Sequence, residues 1–230
     1  MKSYRKILVR NWSAIALLCV IFQGTARADL FSSLSPDEQD ALQRGDQVVK
    51  TDEIEGSVWP KITVYQIIDV PNEEMAAVMF DYSMHKEIFE GIIKSSPQQT
   101  GSVSTDVDYE MTFPKVMGIS LPNEVYTVKD QLSSTSAAVY EVNWSLVRAS
   151  SMKNTYGGAH FESFKAGTLV AYTSFIDPPR PSLAKLIIKM AIDRVKDSVK
   201  ALAKRVQAER SGDRSQLNLQ LALMKKALGQ

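Results

Sequence analysis

The chain has 230 residues, 44% of them hydrophobic and 23% charged, and its 27 basic and 26 acidic side chains give a formal net charge of +1. This composition is that of an ordinary globular protein, and it excludes a disordered, collagen-like or coiled-coil chain. Because the chain has no strong positive charge, we expect no nucleic-acid partner.

The first 28 residues have the pattern of a secretory signal peptide. Basic residues precede an apolar run over 13–22, and Ala26-Arg27-Ala28 supplies the small residues of a cleavage site. The run is too short to span roughly 30 Å of hydrocarbon unaided. We therefore predict a cleaved signal peptide over 1–28 and, for a Gram-negative source, a periplasmic or secreted protein. An uncleaved anchor is the alternative.

Cleavage would also remove Cys19, the only cysteine. Its loss excludes disulfides, cysteine zinc sites and a cysteine nucleophile from the mature protein.

A short helix is predicted at the start of the mature chain. Ser35 has the position of an N-cap, Pro36 that of the first helical residue, and Glu38 completes a capping box. Gly45 suits the end of this helix. We assign residues 29–57 to an N-terminal helical extension.

The next segment predicts one strand followed by helix. Residues 58–70 alternate and are rich in β-branched and aromatic side chains, as a strand would be. Pro71 begins a turn into a helix that carries apolar Met75, Val78 and Met79. Apolar residues over 88–93 predict a further helical turn or two.

Five later segments alternate between apolar and polar residues. They cover 103–113, 124–132, 138–146, 159–164 and 168–176. A period of two with one apolar face is typical of antiparallel strands that are covered on one side.

A proline-rich break over 177–181 precedes the longest regular element. Apolar residues recur at helical spacing from Ser182 to about Glu209, and the basic residues lie mostly off that stripe. We also predict a short tail helix within residues 211–230. Since this long helix is the only element that can cover the apolar face of the sheet, we predict an α+β fold in which a curved antiparallel sheet wraps around it.

The chain resembles the START-like superfamily of polyketide cyclases and lipid-transport proteins (SRPBCC), which has the helix-grip fold. The resemblance rests on Asp69-Val70-Pro71, Val78-Met79-Phe80-Asp81-Tyr82, Gly167-Thr168-Leu169-Val170-Ala171-Tyr172 and the Asp177-Pro178-Pro179 break. It implies a ligand-binding domain over 58–210, with a cavity of roughly 300–1,000 Å³ between the sheet and the helix.

Aromatic and flexible apolar side chains are the candidate ligand-binding residues. They are Tyr109, Met111, Phe113, Tyr126, Tyr140, Trp144, Tyr172, Ile187 and Met190. Buried tyrosine and tryptophan need partners for their polar atoms, and methionine adapts to varied ligands. The alternative for each residue is that it belongs to a solid core.

The two histidines are weaker candidates. His85 stands beside Lys86 and Glu87, which favours a solvent-facing position at a helix end. His160 and Glu162 share one face of a strand, where they form either a general acid–base couple or, as we prefer, a solvated pair. No metal-binding or nucleotide-binding motif occurs, so we expect no metal and no cofactor.

An apolar hairpin tip over 117–122 either contacts a membrane transiently, gates the cavity, or is covered by the long helix. We expect an exported protein that binds and carries a lipid or fatty acyl molecule. The alternatives are a cyclase- or hydrolase-like enzyme that uses the same cavity and a module that binds another envelope protein.

Overall fold

The computed structural model describes residues 29–113, 122–177 and 184–230, with no side chains for 184–186. The predicted signal peptide over 1–28, the hairpin tip over 117–121 and the prolines that follow Asp177 lie outside the described residues.

Eight antiparallel strands form one sheet in the described part of the chain. They are β1 (Val48–Asp52), β2 (Lys61–Ile68), β3 (Ile92–Gln99), β4 (Ser104–Met111), β5 (Glu124–Ser136), β6 (Val139–Ala149), β7 (Asn154–Phe164) and β8 (Gly167–Asp177). Their order is β1-β2-β8-β7-β6-β5-β4-β3. The late strands run as consecutive hairpins, and β8 returns to pair with β2.

The described α-helices are α1 (Pro36–Gln43), α2 (Asn72–Phe80), α3 (His85–Ile88), α4 (Ala184–Ser211) and α5 (Ser215–Leu228). None of these helices is both long enough and apolar enough to cross a membrane.

The long helix α4 packs on the concave face of the sheet. Its buried side chains, among them Val195, Val199 and Val206, join one core with the inward residues of the strands and of α2. The α+β helix-grip fold predicted from the sequence is therefore confirmed.

The N-terminal segment covers part of the convex face. The capping box of α1 is present: Glu38 N–H donates to the Ser35 hydroxyl, and Ser35 N–H donates to the Glu38 carboxylate. Leu34 and Leu42 pack with Leu169 of β8 in a second apolar cluster. Both faces of the sheet are thus buried around β8.

Two strands were not predicted. The segment 29–57 contains β1 in addition to helix, and its residues pair with β2. Residues over 92–99 form β3, so the second helical turn predicted from Ile92 and Ile93 was wrong. Both strands lie at the edges of the sheet. The strand β1 has only five residues, and Pro97 interrupts the pattern of β3.

The tail helix α5 packs against α2. Leu217 and Met224 are fully buried there. Between the helices, the buried Glu74 carboxylate contacts Arg210 and Arg214, each at 2.8 Å. These contacts hold the C-terminal part of the chain to one end of the concave face.

Candidate ligand-binding cavity

A cavity of about 230 Å³ lies between the concave face of the sheet and the N-terminal half of α4. Its walls come from strands β2 to β8 and from helices α2, α3 and α4. The volume is below the expected range of roughly 300–1,000 Å³, because several large aromatic side chains project into the space.

Eight of the nine predicted ligand-binding residues line this cavity. They are Tyr109, Met111, Phe113, Tyr126, Trp144, Tyr172, Ile187 and Met190. The first six come from the sheet and its ends, and the last two from the first turns of α4, so residues distant in the sequence meet across one space.

Tyr140, the ninth predicted residue, does not line the cavity. It is buried on the same face of β6 as Trp144, but it lies four residues, or roughly 13 Å, along the strand. At that end α2 packs on the sheet, and Glu73 and Lys225 are the charged groups near the Tyr140 hydroxyl. Strand alternation predicts the face of a side chain, but not what covers it.

His85 lines the cavity, which corrects the prediction that it faces solvent. Its side chain is only 3% exposed and lies parallel to the Tyr109 ring, with an interplanar angle of 9°. His85 Nδ1 is 2.7 Å from the Tyr109 hydroxyl, and Nε2 is 2.9 Å from the Met79 carbonyl oxygen.

The partners of His85 determine which ring nitrogen carries the proton. A carbonyl oxygen only accepts, so Nε2–H must donate to Met79 O. In the neutral ring Nδ1 then accepts from the Tyr109 hydroxyl. Burial lowers the pKa of His85 from 6.5 to about 4, and burial also raises the pKa of Tyr109. His85 and Tyr109 are therefore both uncharged near neutral pH, and the Tyr109 hydroxyl proton forms the hydrogen bond to His85 Nδ1.

Asp130 is the functional candidate that the sequence reasoning missed. It lies on β5, is 2% exposed, and lines the cavity. Burial, and secondarily the charge of Asp106, raise the pKa of Asp130 from 3.8 to about 8. Its Oδ2 atom is buried and has no hydrogen-bond partner among the described residues.

A sequence signal for Asp130 existed. In the alternating segment 124–132, Tyr126, Val128 and Leu132 share one face, and Asp130 falls on the same face by the same alternation. An acidic residue at an inward position of an apolar strand is the feature that points to a site.

His160 lies on the convex face, outside the cavity. Its Nδ1 is 2.9 Å from Glu141 and its Nε2 is 3.3 Å from Glu162. Glu162 also accepts the Leu30 N–H of the N-terminal segment. His160 and Glu162 are thus not a catalytic couple of the cavity; they help to hold the N-terminal segment on the sheet.

Across residues 29–113, 122–177 and 184–230, no three histidine, cysteine, aspartate or glutamate side chains come together as a metal site would require.

Solved structures with this fold include lipid-transfer proteins and an aromatase/cyclase. The STAR-related lipid transfer protein from Xanthomonas axonopodis has a TM-score of 0.61 and 12% identity over 70% of this chain and 93% of its own. Human StAR-related lipid transfer protein 5 has a TM-score of 0.57 and 10% identity over 71% and 84%.

The Zhui aromatase/cyclase from Streptomyces sp. R1128 has a TM-score of 0.54 and 12% identity over 66% of this chain and 96% of its own. No protein-family model and no curated protein matches the sequence.

The chain therefore has the helix-grip fold of these solved structures, and aromatic and aliphatic side chains form most of the cavity between its sheet and α4. The predicted resemblance to START-like and SRPBCC proteins is confirmed for the fold. At 10–12% identity, these neighbours show the fold and not the ligand.

Proposed function

We propose that this protein is an exported carrier that reversibly binds a hydrophobic small molecule, a lipid or fatty acyl species, between the sheet and α4. The observation that supports this most strongly is the cavity of about 230 Å³ with its aromatic and aliphatic walls. Concave sites that are lined mainly by apolar side chains, with a few polar groups among them, are where proteins usually bind small molecules.

Burial of alkyl groups supplies the affinity in this proposal. Each square ångström of apolar surface removed from water contributes about 25 cal/mol, so an alkyl chain of modest length gains several kcal/mol. Met111, Met190 and Ile187 provide walls that fit such a chain without directional demands.

Filling the cavity tests the proposal. Ala191 of α4 lines the cavity, and Lys189 lies two residues away with its side chain exposed. Ala191→Trp should abolish binding of alkyl probes, whereas Lys189→Trp should leave it unchanged. The readouts are the rise in melting temperature with added probe and native mass spectrometry after organic extraction. The proposal fails if the wild-type protein carries no extractable molecule and alkyl probes do not raise its melting temperature.

Export is part of the proposal. It rests on the basic, apolar and small-residue pattern of residues 1–28. N-terminal sequencing of protein from the periplasm or medium should begin at Asp29. A full-length chain retained in the cytoplasm would contradict export.

A transient membrane contact during ligand exchange also belongs to the proposal. Sedimentation with lipid vesicles tests this contact. Protein that stays entirely in the supernatant would speak against it.

An enzyme of the cyclase type is the second candidate, and Asp130 is the observation that favours it. An acid with a pKa of about 8 in an apolar cavity can exchange a proton with a substrate near neutral pH. Molecules extracted from wild type and from Asp130→Asn should then differ in chemical structure. Identical molecules from both would argue against catalysis.

A further inference from the structure

Asp130 is a buried polar residue of the cavity, and the described residues around it do not satisfy all of its hydrogen-bonding atoms. Asp130 is almost completely inaccessible, and its Oδ2 is left without a partner by the described residues. A buried polar atom without a hydrogen bond costs about 1–3 kcal/mol. Because the side chain lines the cavity, a ligand atom bound there can supply the missing hydrogen bond.

Cationic groups are scarce around this space. Of the described lining residues, Arg194 is the cationic one. Its Nη1 donates to the Thr112 carbonyl oxygen at 3.4 Å, and its Nη2 lies 4.0 Å from the exposed Glu90. Arg194 is therefore at the rim, where its charge is shared with Glu90, and it does not neutralise a charge near Asp130.

The other ionisable groups of the interior are uncharged near neutral pH. His85 has its Nε2–H and Nδ1 engaged by Met79 and Tyr109. Burial keeps the pKa values of Tyr109, Tyr126 and Tyr172 above their usual value. A carboxylate head group would thus enter an interior without a counter-charge, at a high cost in desolvation.

We propose that Asp130 is the polar anchor of the cavity and hydrogen-bonds to an uncharged oxygen of the ligand head group. The cavity then takes lipids with a hydroxyl, carbonyl or ester oxygen in preference to fatty-acid anions. This inference rests on the proposed function and specifies its ligand class.

The neutral form of the acid is what makes the anchor compatible with such a head group. With the pKa of Asp130 near 8, the carboxyl is mostly protonated at pH 7 and offers both a donor and an acceptor. An alkylammonium head would instead require a desolvated ion pair, whose Coulombic gain often fails to repay the loss of hydration.

Three probes of equal chain length separate the possibilities: decanol, decanoate and decylamine. Wild-type protein at pH 7 should bind decanol at least about tenfold more tightly than decanoate, which equals about 1.4 kcal/mol. Asp130→Asn, which keeps a donor and an acceptor, should retain decanol binding. Asp130→Leu should bind decanol about tenfold more weakly than the wild-type protein. Gln131→Leu, the exposed neighbour on the opposite face of the strand, is the matched control.

The outcomes distinguish the two proposals. If no probe binds the wild-type protein, the proposed function fails. If decanoate binds as tightly as decanol, or if Asp130→Leu binds decanol like wild type, the anchor is wrong while hydrophobic ligand binding stands. Tightest binding of decylamine, lost in Asp130→Asn, would replace the uncharged ligand by a cationic one. Circular dichroism of each variant verifies that it is folded.

Discussion

Trp144 on β6 lies directly opposite Gly157 on β7, and its indole ring occupies the place where a side chain of Gly157 would begin. A Cβ atom on Gly157 would stand 2.4 Å from the ring and 2.2 Å from the Thr173 carbonyl oxygen. The missing side chain therefore lets the indole lie close to the sheet, where it forms part of the cavity wall.

Gly157→Ala should push the Trp144 ring into the cavity and disturb the contact between β7 and β8. We expect a loss of about 1–3 kcal/mol in the free energy of unfolding and weaker binding of alkyl probes. Urea unfolding and tryptophan fluorescence measure both effects. Gly101→Ala is the control, since its Cβ would meet Ser104 at an ordinary 3.5 Å. Unchanged stability and fluorescence in Gly157→Ala would refute the assigned packing.

Tyr109→Phe should destabilise the protein although the aromatic ring, and so the packing around it, is kept. The variant removes the donor to His85 Nδ1 and leaves that atom buried without its partner, which costs about 1–3 kcal/mol. Tyr65→Phe on the convex face is the comparison and should cost less. Nitrogen NMR of wild-type His85 should show a neutral ring protonated at Nε2. A ring protonated at Nδ1 would contradict the hydrogen bond to Met79 O.

Asp130 should make stability depend on pH. Its pKa is about 8 in the folded chain against 3.8 ordinarily, so between these values the folded chain keeps a proton that the unfolded chain has lost. The free energy of unfolding therefore falls as pH rises, by at most about 1.4 kcal/mol per pH unit. Asp130→Asn should gain stability relative to wild type from pH 4 to pH 8. If the free energy of unfolding had the same pH dependence in wild type and Asp130→Asn, the raised pKa of Asp130 would be excluded.

His85 contributes with the opposite sign over a narrower range. Its pKa is about 4 when folded and 6.5 ordinarily, so the unfolded chain binds the extra proton between these values and stability rises with pH. The two contributions offset each other in wild type up to about pH 6.5. In Asp130→Asn the His85 contribution should emerge as a rise up to pH 6.5 followed by a level region.

Glu74→Gln should destabilise the packing of α5 and the end of α4 on α2. The Glu74 carboxylate is buried against Arg210 and Arg214, whose guanidinium groups are partly exposed to water. Loss of two charge-assisted contacts of this kind should cost about 1–3 kcal/mol. Glu73→Gln, which breaks an exposed pair with Lys225, should cost less than about 1 kcal/mol. Equal losses in the free energy of unfolding of the two variants would show that the burial of Glu74 does not strengthen its ion pairs.

The central strands were predictable from the sequence because one of their faces is buried. Val107, Tyr109 and Met111 alternate with polar residues along β4, and the same pattern marks β5 and β6. The edge strands β1 and β3 lack this contrast, since fewer neighbours cover them, and the helical interpretation of Ile92 followed from that. Alternation therefore predicted the sheet but not its full width.

The candidate site was predicted less completely, because its residues depend on which helix covers each part of the sheet. Trp144 and Tyr140 have the same orientation on β6, yet α4 leaves space over the first while α2 covers the second. His85 and Asp130 were missed because polar residue types suggest solvent. Their burial depends on contacts with Met79, Tyr109 and the cavity walls, which single-strand patterns do not contain.

The two halves of helix α4 have different surroundings. From Val195 onward its inward residues, such as Val199 and Val206, are buried in the common core, whereas Ile187 and Met190 near its start border the cavity and are less covered. Under the proposed function, substitutions in the first turns of α4 would change which ligands bind while the core half of the helix keeps its packing. The ligand range would then be able to diverge during evolution without loss of the fold.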